Sequence, residues 1–466
     1  MKLKKSNIYI QLKRYRRRKK SEKKRAANRH RVNAKSIELN KILKKDFSYY
    51  NVLTTFLPKN LKYLIFECED SHIYIDKLDF SPLLYNHPLY VPKTFSLIDK
   101  PAESYEFVRF VVSVMLLQKS HFVSIDYTHC EHIGLDAQIY FDVILKDIIT
   151  FYKRCRSYEK LMPIVRQVKG DNVTNEDVRK MLFSVGSPVI HANNFIRYGD
   201  IESYKLCIHN SLSKNRKTIG RKDVDTTNLV DYVLNCLGRL NRKLSGDKIE
   251  DLCVVISEIL INAEEHSSLN YRFSIGYFVE KNDNEQHFGV FRLVIMNFGQ
   301  SIYEKFKDPN CLNLNSIEKM KALSKRYNKR KLFSNKNFEE QTLWTLYSLQ
   351  EGITSTDPKI YKKRGNGSIR FIDSFFKLRG REILTDNTSR LGIISGNTEI
   401  IFDGTYNIIT KNVSGEQFQY MTFNNEGDIT NKPDSKFVKF VPQYFPGTLI
   451  CAEILFNEDD FENNNG

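Results

Sequence analysis

The sequence predicts an α/β protein, and three features of its 466 residues support that class. Strand-like and helical segments alternate through residues 47–209, as in layered α/β domains. A long amphipathic helix and a hairpin pattern open residues 229–466. Apolar residues make up 41% of the chain and aromatic residues 12%, which is enough for large cores. A basic arm, residues 1–46, precedes both regions, and a polar linker, residues 210–228, separates them.

The net charge of +17 belongs almost entirely to the arm. Residues 1–50 hold 19 of the 72 Lys and Arg residues and three acidic residues, which leaves 53 basic and 52 acidic residues elsewhere. Such a cluster attracts polyanions by releasing counterions, without reading base sequence. We expect the arm, helical or disordered, to bind RNA or DNA through residues 1–35; a solvated tail, or a helix that docks on an acidic partner, is the alternative. The candidate contacts are Lys13, Arg14, Arg16, Arg17, Arg18, Lys19, Lys20, Lys23, Lys24 and Arg25.

The remaining bulk features predict a cytoplasmic protein that does not enter a membrane. The longest apolar stretch, residues 107–117, is shorter than the ~20 residues that a helix needs to span a bilayer. The basic N-terminus has no apolar run behind it, which argues against a secretory signal. The eight cysteines are scattered without a CxxC pair, which indicates reduced, packed thiols.

The first α/β region shows strand and helix patterns in alternation. The sequence first predicts strand-like segments at 61–70 and 72–80 and a helix at 104–120. A short strand ending in Asp126 follows, then a loop and a helix that reaches residue 154. The last element is a helix within 176–191 that ends at Gly186.

This order of strand, aspartate, loop and helix, with a later helix ending in a "VGSP" turn, resembles the STAS fold of bacterial anti-sigma-factor antagonists. The loop after Asp126 occupies the place where that family carries phosphoacceptor serines. Its only hydroxyls belong to Tyr127 and Thr128, so phosphorylation there is not expected. Two histidines and a cysteine of the loop lack the spacing of a zinc site, and we interpret them as polar loop residues: His129, Cys130 and His132.

The segment "KIEDLCVVISEILINAEEHSS" predicts a helix that follows a cap at Ser245–Asp247. Its apolar residues recur at helical spacing and predict a buried stripe: Ile249, Leu252, Cys253, Ile256, Ile259, Leu260 and Ala263. Glu258, Asn262 and His266 follow one another at intervals of four, so they share a neighbouring face. An acid and an amide at the edge of a buried stripe are costly unless they are bonded. They suit a site where the amide oxygen binds a hard cation and the carboxylate orients a water.

This pattern, Glu-x-x-x-Asn-Ala-x-x-His, resembles the N-box of the GHKL superfamily of ATPases, which includes gyrase, MutL, the heat-shock chaperone, histidine kinases and anti-sigma kinases. Three further boxes follow in the family's order. Residues 271–280 and 287–297 form a hairpin pattern that runs into "NFGQSI", similar to the first glycine box. Residues 345–378 resemble the mobile lid and second glycine box, and "FPGTLICAEILF" resembles the closing Gly-Thr strand.

The resemblance implies a Bergerat-type ATP-binding fold, a two-layer α/β sandwich whose mixed sheet carries helices on one face. It also assigns roles by position. Asn262 would hold Mg²⁺, Glu258 would act as general base, and His266 would complete the N-box. Asn297, where the family has aspartate, would accept from the adenine amino group; Ser301 replaces the family's second glycine. The other nucleotide-binding positions would be Gly299 beside the base, Lys362, Lys363, Arg364, Gly365 and Gly367 around the phosphates, and Thr448 in the adenine network.

The resulting prediction is an ATPase that binds ATP and Mg²⁺ and whose lid closure switches the attached α/β domain and the basic arm. Two alternatives stay open: an anti-sigma-type serine/threonine kinase, and a non-catalytic ATP-sensing adaptor for nucleic acid. A regulatory protein partner and a homodimer are also left open.

Overall fold

The computed structural model describes most of the chain and divides it into two compact units, Met1–Leu57 and Pro58–Gly466. The described residues are 49–78, 88–117, 122–155, 167–190, 198–210, 221–239, 242–265, 267–283, 286–329, 339–353, 367–378, 389–413 and 416–456. In the first unit they form helix α1, Tyr49–Phe56. The predicted nucleic-acid contacts of the basic arm all lie outside the described residues.

The second unit contains both helices and strands throughout, and the predicted α/β class is confirmed. Its helices are α2 (Lys59–Lys62), α3 (Pro101–Leu117), α4 (Leu135–Cys155), α5 (Glu176–Val185), α6 (Arg221–Arg239), α7 (Gly246–Glu265), α8 (Ile302–Lys307), α9 (Leu314–Lys329), α10 (Glu340–Ser348) and α11 (Gly367–Leu378). Its strands are β1 (Leu89–Tyr90), β2 (Thr94–Phe95), β3 (Phe122–Asp126), β4 (His132–Ile133), β5 (Gln167–Asp171), β6 (Ile201–Asn210), β7 (Tyr271–Asp283), β8 (Gln286–Phe298), β9 (Arg390–Phe402), β10 (Ile409–Val413), β11 (Glu416–Tyr420) and β12 (Val438–Phe456).

The first part of this unit is built on a parallel three-stranded sheet with the order β1-β3-β5. The predicted strand ending in Asp126 and the helix that follows its loop are confirmed as β3 and α4. Gly186 ends α5 as predicted: it adopts a left-handed φ of 67°, and its N–H bonds back to the last turn of the helix.

The strand predictions for residues 61–70 and 72–80 are wrong. Residues 59–67 form α2 and a π-helical turn, Tyr63–Glu67, and Ile75–Lys77 form a 3₁₀ turn. The physical reason is the spacing of the buried side chains, because Leu61, Leu64, Ile65 and Cys68 recur at helical intervals.

The larger sheet has five strands in the order β6-β7-β8-β12-β9, and every neighbouring pair is antiparallel. The predicted hairpin is confirmed: β7 and β8 pair from Phe273–Met296 to Asp283–Gln286. Strand β6, which the sequence analysis assigned to the first α/β region, bonds to β7 within this sheet. The structure therefore departs from the expected mixed sheet, since all of its pairings are antiparallel.

Helices cover both faces of the five-stranded sheet, whereas the resemblance implied one face. Residues of α6, α7 and α11 share one apolar core with alternate residues of β8 and β12, including Phe291, Leu293 and Ile450. On the opposite face, α3 and α4 contact β12, α4 contacts β8, and α5 contacts β7. The cause is visible in β8, whose successive residues from Leu293 to Phe298 are all buried, so each face of the strand requires a cover.

Residues 221–228, predicted as part of the linker, belong to α6, and the rest of that segment from 211 to 220 lies outside the described residues. Among the residues described, no helix is both long and apolar enough to cross a membrane. All eight cysteines are free thiols, and four are buried: Cys68, Cys130, Cys155 and Cys236.

Candidate functional site

Helix α7 carries the predicted acid and amide beside its buried stripe. The Ser245 hydroxyl accepts a hydrogen bond from the Lys248 N–H at 3.4 Å, which places the cap where the sequence predicted it. The predicted stripe is packed in the core, with Ile249 and Cys253 at its partly buried margin. Glu258 and Asn262 are partly buried, and His266 lies outside the described residues.

The Asn262 side chain makes no hydrogen bond to any residue that the structure describes. It stands one position before Ala263, which is buried in the core. A half-buried amide without a partner among the described residues retains both its carbonyl oxygen and its N–H groups for a ligand or water. This is the chemistry expected of an oxygen donor for a hard cation.

Asn297, at the end of β8, joins three elements through its side-chain amide. Its Nδ2 donates to the carbonyl oxygen of Ala263 in α7 at 2.5 Å, and its Oδ1 accepts from the Thr448 N–H of β12 at 3.2 Å. The side chain has an exposed fraction of 0%. We call these three residues, Asn297, Ala263 and Thr448, the amide junction. It fixes the last turn of α7 against the end of the sheet.

The turn after the amide junction requires glycine. Gly299 has a φ of 138°, and a Cβ built on it would lie 2.6 Å from the Ser268 hydroxyl oxygen. That hydroxyl accepts from the Gln300 N–H at 3.0 Å, so the turn is tied to the loop that follows α7. Gly447, beside Thr448, has a φ of 142°, and its Cβ would lie 2.2 Å from the carbonyl oxygen of Asn297. Both glycines therefore allow a close backbone approach at this end of the sheet.

Ser301, which replaces a glycine of the family's first box, has a structural role. Its hydroxyl accepts from the Glu304 N–H, and the Glu304 carboxylate accepts from the Ser301 N–H, which together form a capping box for α8. The next N–H, that of Ile302, donates to the Ser395 hydroxyl at 2.9 Å. Ser395 also contacts Thr448, with 3.0 Å between the two hydroxyl oxygens, so the cap and the amide junction are connected.

Helix α11 begins at Gly367 and shares an apolar core with α7. The Lys248 ammonium at the start of α7 donates to the carbonyl oxygen of Lys377 near the end of α11. Gly367 lies ten residues before Lys377, and Glu258 lies ten residues after Lys248. At ~1.5 Å per residue, each lies about 15 Å along its own helix from that contact. The N–H groups of the first turn of α11 have no intrahelical partner, and they are suited to an anion.

The structure thus brings together Asn297, Gly299 and Thr448 at the end of α7, and it packs α11, which begins at Gly367, against α7. Other predicted positions lie outside the described residues: His266, Lys362, Lys363, Arg364 and Gly365. Three residues that contribute to this arrangement were not predicted from the sequence: Ser268, Ser395 and Gly447. Of these, only Gly447 had a signal, because it precedes Thr448 in the closing Gly-Thr pattern.

The loop after β3 forms a closed polar arrangement around Asp126. Its carboxylate accepts from the Thr128 hydroxyl at 2.5 Å and from the Asn172 amide at 2.7 Å. Burial alone would raise the pKa of Asp126, but these hydrogen bonds outweigh it and hold the pKa below its ordinary value. Within the described residues, no group of three or more His, Cys, Asp or Glu side chains is arranged to hold a metal ion.

Comparisons with protein-family models, with curated proteins and with solved structures find no match to this chain.

Proposed function

We propose that the C-terminal half is a GHKL-type ATPase module with a Bergerat-type fold, which binds ATP and Mg²⁺ between α7 and the first turn of α11. The observation that supports the proposal is that three of the four segments resembling GHKL boxes lie together at one end of the five-stranded sheet. The N-box helix, the first glycine turn and the Gly-Thr strand meet at the amide junction. Helix α11, which follows the segment resembling the second glycine box, packs against α7 in the same core.

Asn262 is the residue suited to Mg²⁺, because its amide oxygen has no hydrogen bond within the described part of the chain. The ion, when bound, would neutralise the triphosphate oxygens. Glu258 is one turn away on the same helix and would orient the attacking water as general base. The free N–H groups at the start of α11 would receive phosphate oxygens, with Lys363, Arg364 and Gly365 just before them in the chain.

Adenine recognition at Asn297 requires a movement. An amide oxygen can accept two hydrogen bonds, and Thr448 N–H uses one of those of Oδ1, so one acceptor position remains for the adenine amino group. Because Asn297 is fully buried, adenine reaches this position only if the Gly299 turn shifts away from Ser268. The glycine-to-serine change at position 301 works against such a shift, since the capping box ties the turn to α8.

The first α/β region is proposed to be a STAS-like regulatory domain, and the basic arm to hold RNA or DNA. Helices α3, α4 and α5 lie against the face of the sheet opposite α7 and α11. Nucleotide-dependent movement of the sheet's end would therefore reach these helices directly. Tyr140 of α4 provides one such route, because its ring lies 5.9 Å from that of Phe298, the residue after Asn297.

The second candidate function is a non-catalytic, ATP-sensing adaptor for nucleic acid. The observation that favours it is the amide junction itself, because an asparagine engaged at both ends of its amide replaces the family's free carboxylate. In that case ATP would bind without turnover.

The test is nucleotide binding and phosphate release by the full chain and by two variants. Glu258→Ala should keep ATP binding and lower phosphate release about 100-fold, as expected when a general base is lost. Asn262→Ala should lose the part of ATP binding that depends on Mg²⁺. The matched controls, Glu250→Ala on the exposed side of α7 and Asn235→Ala on the exposed side of α6, should behave as wild type.

Three other outcomes separate the alternatives. Equal phosphate release by wild type and Glu258→Ala would contradict the ATPase mechanism. ATP binding with no turnover in wild type would favour the adaptor. Transfer of labelled γ-phosphate to a serine or threonine of another protein would favour the kinase.

A further inference from the structure

A cavity lies between helices α4 and α5 and the beginning of β6, and no residue of α7 or α11 lines it. It has a volume of about 890 Å³, and every residue that lines it is described. Its walls are one face of α4, the end of α5 with the turn Gly186–Pro188, and the beginning of β6. Volumes of ~300–1,000 Å³ are typical of sites for small molecules.

The polar end of this cavity is built around a buried carboxyl. Asp142 of α4 has an exposed fraction of 3%, and its Oδ1 accepts from the Ser187 hydroxyl and from the Gln138 amide, each at 2.7 Å. Gln138 also donates to the Ser187 oxygen at 3.0 Å, so the three side chains hold one another in place. Both donors use Oδ1, which leaves Oδ2 of Asp142 without a hydrogen bond from a described residue.

Asp142 lacks the ion pair that normally accompanies a buried carboxyl. No described basic side chain lies within ion-pair distance of it. Burial raises its pKa to about 7, even though hydrogen bonds from Ser187 and Gln138 and the more distant charge of Lys146 favour the ionised form. A buried, unpaired carboxyl costs free energy that an apolar residue would not. Such a group, held in place at the wall of a cavity, is typical of a functional site.

The rim of the cavity is positive, and its walls combine polar and apolar side chains in about equal measure. Lys146 and Lys153 project from the same face of α4, and Lys205 extends from β6; all three are exposed. Glu202 is the exposed acid among the lining residues. The apolar part of the lining is Ile149, Phe183, Val185, Pro188, Ile190, Tyr198, Ile201 and Leu206.

We propose that this cavity binds a small organic anion, with an apolar body between α4, α5 and β6, a carboxylate or phosphate group at Lys146, Lys153 and Lys205, and a polar group at Asp142. The three lysines supply charge without fixing which anion they take. The apolar part of the lining favours a ligand with an apolar body over a bare inorganic ion, which would leave those side chains without a contact. The proposal does not rest on ATP binding by the C-terminal half.

The test uses three probes of similar size on the full chain: phenyl phosphate, phenylacetate and the neutral benzyl alcohol. Ligand-observed NMR should show saturable binding of at least one anion and much weaker binding of benzyl alcohol. The relative Kd of the two anions distinguishes phosphate from carboxylate ligands. The double variant Lys146→Gln/Lys205→Gln should raise the Kd of the anion about fivefold to tenfold, as expected for two exposed charge contacts.

The matched control is the double variant Lys321→Gln/Lys325→Gln, which removes two exposed charges from α9 and should leave the Kd unchanged. Thr150→Phe, which fills the cavity from the face of α4, should abolish anion binding while the protein stays folded by circular dichroism. Equal binding of benzyl alcohol, or an equal loss in the control variant, would overturn the proposal. Displacement of the probe by Mg²⁺ and ATP, together with its loss in Asn262→Ala, would assign it to the nucleotide site instead.

Discussion

The amide junction and the Asp142 cluster are both buried polar groups, but they differ in charge. The junction consists of an amide, a carbonyl and a backbone N–H, and each end of the Asn297 side chain has a partner. The Asp142 cluster buries an ionisable carboxyl against two neutral side chains. The first arrangement should hold the sheet and α7 together at any pH. The second should make the stability of the first α/β region depend on pH, because ionising Asp142 costs free energy.

The largest expected effect comes from Asp142→Asn above neutral pH. The folded pKa of Asp142, about 7, lies above its ordinary value of 3.8, so the folded state holds this proton more tightly than the unfolded state. The stability that comes from this tighter proton binding by Asp142 is fully present below pH 3.8 and is lost as the pH rises towards 7. The asparagine variant keeps the Oδ1 acceptor and does not ionise. It should therefore be more stable than wild type by about 2–4 kcal/mol at pH 8, and similar at pH 4.

Urea unfolding of the two proteins from pH 4 to pH 8 measures this difference. Asp147, whose pKa burial raises to about 6, gives both proteins the same background trend, so the informative quantity is the difference between them. A difference that does not grow between pH 4 and pH 7 would show that Asp142 is ionised in the folded state without cost.

Asn297→Asp should have the next largest effect, and with the opposite sign. It restores the carboxylate of the GHKL pattern but replaces the Nδ2 donor with an oxygen that faces the carbonyl of Ala263. The loss of a buried hydrogen bond and the new oxygen–oxygen repulsion should lower the free energy of unfolding by about 2–3 kcal/mol. The control Asn235→Ala, exposed on α6, should change it by less than about 0.5 kcal/mol.

Comparing Asn297→Asp with wild type also tests the proposed nucleotide site. If the junction opens when nucleotide binds, saturating ATP and Mg²⁺ should recover part of the stability that Asn297→Asp loses, because the carboxylate accepts well from the adenine amino group. A variant as stable as wild type without nucleotide would mean that the junction contributes little to the fold.

Gly299→Ala should have the smallest effect of the three, about 2 kcal/mol of destabilisation. It combines an unfavourable φ of 138° with a Cβ only 2.6 Å from the Ser268 oxygen. Gly352→Ala separates these causes, because Gly352 has a φ of 77° and nothing within 4 Å of its Cβ position. Thermal unfolding should show the larger loss for Gly299→Ala. Equal losses would assign the whole effect to backbone strain and none to the contact with Ser268.

Local structure was predictable from the sequence where the apolar residues followed one clear spacing. The prediction failed where a short apolar run fitted both the helical and the strand spacing. The buried stripe of α7, the hairpin of β7 and β8, and the Gly186 cap all followed from spacing and turn chemistry. Residues 61–70 were misassigned because a short apolar run fits a strand as well as a helix. The pairing of β6 with β7 joins residues about 70 positions apart, and no local pattern specifies such a contact.

The sequence indicated which polar residues of the candidate site are unusual, but it did not indicate their hydrogen-bond partners. The polarity of Asn297 at the end of an apolar strand marked it as special, yet its partner Ala263 contributes a backbone carbonyl, which has no sequence signature. Gln138 and Asp142, four residues apart in an apolar helix, carried the same kind of signal as Glu258 and Asn262. Their partner Ser187 is 45 residues further along the chain, so only the fold reveals the cluster.

The most direct test of the proposed nucleotide site is an experimental structure of the full chain with Mg²⁺ and a non-hydrolysable ATP analogue. We expect the triphosphate at the first turn of α11 and the ion within coordination distance of the Asn262 amide oxygen. An analogue that binds elsewhere, or that gives no density at saturating concentration, would contradict this expectation.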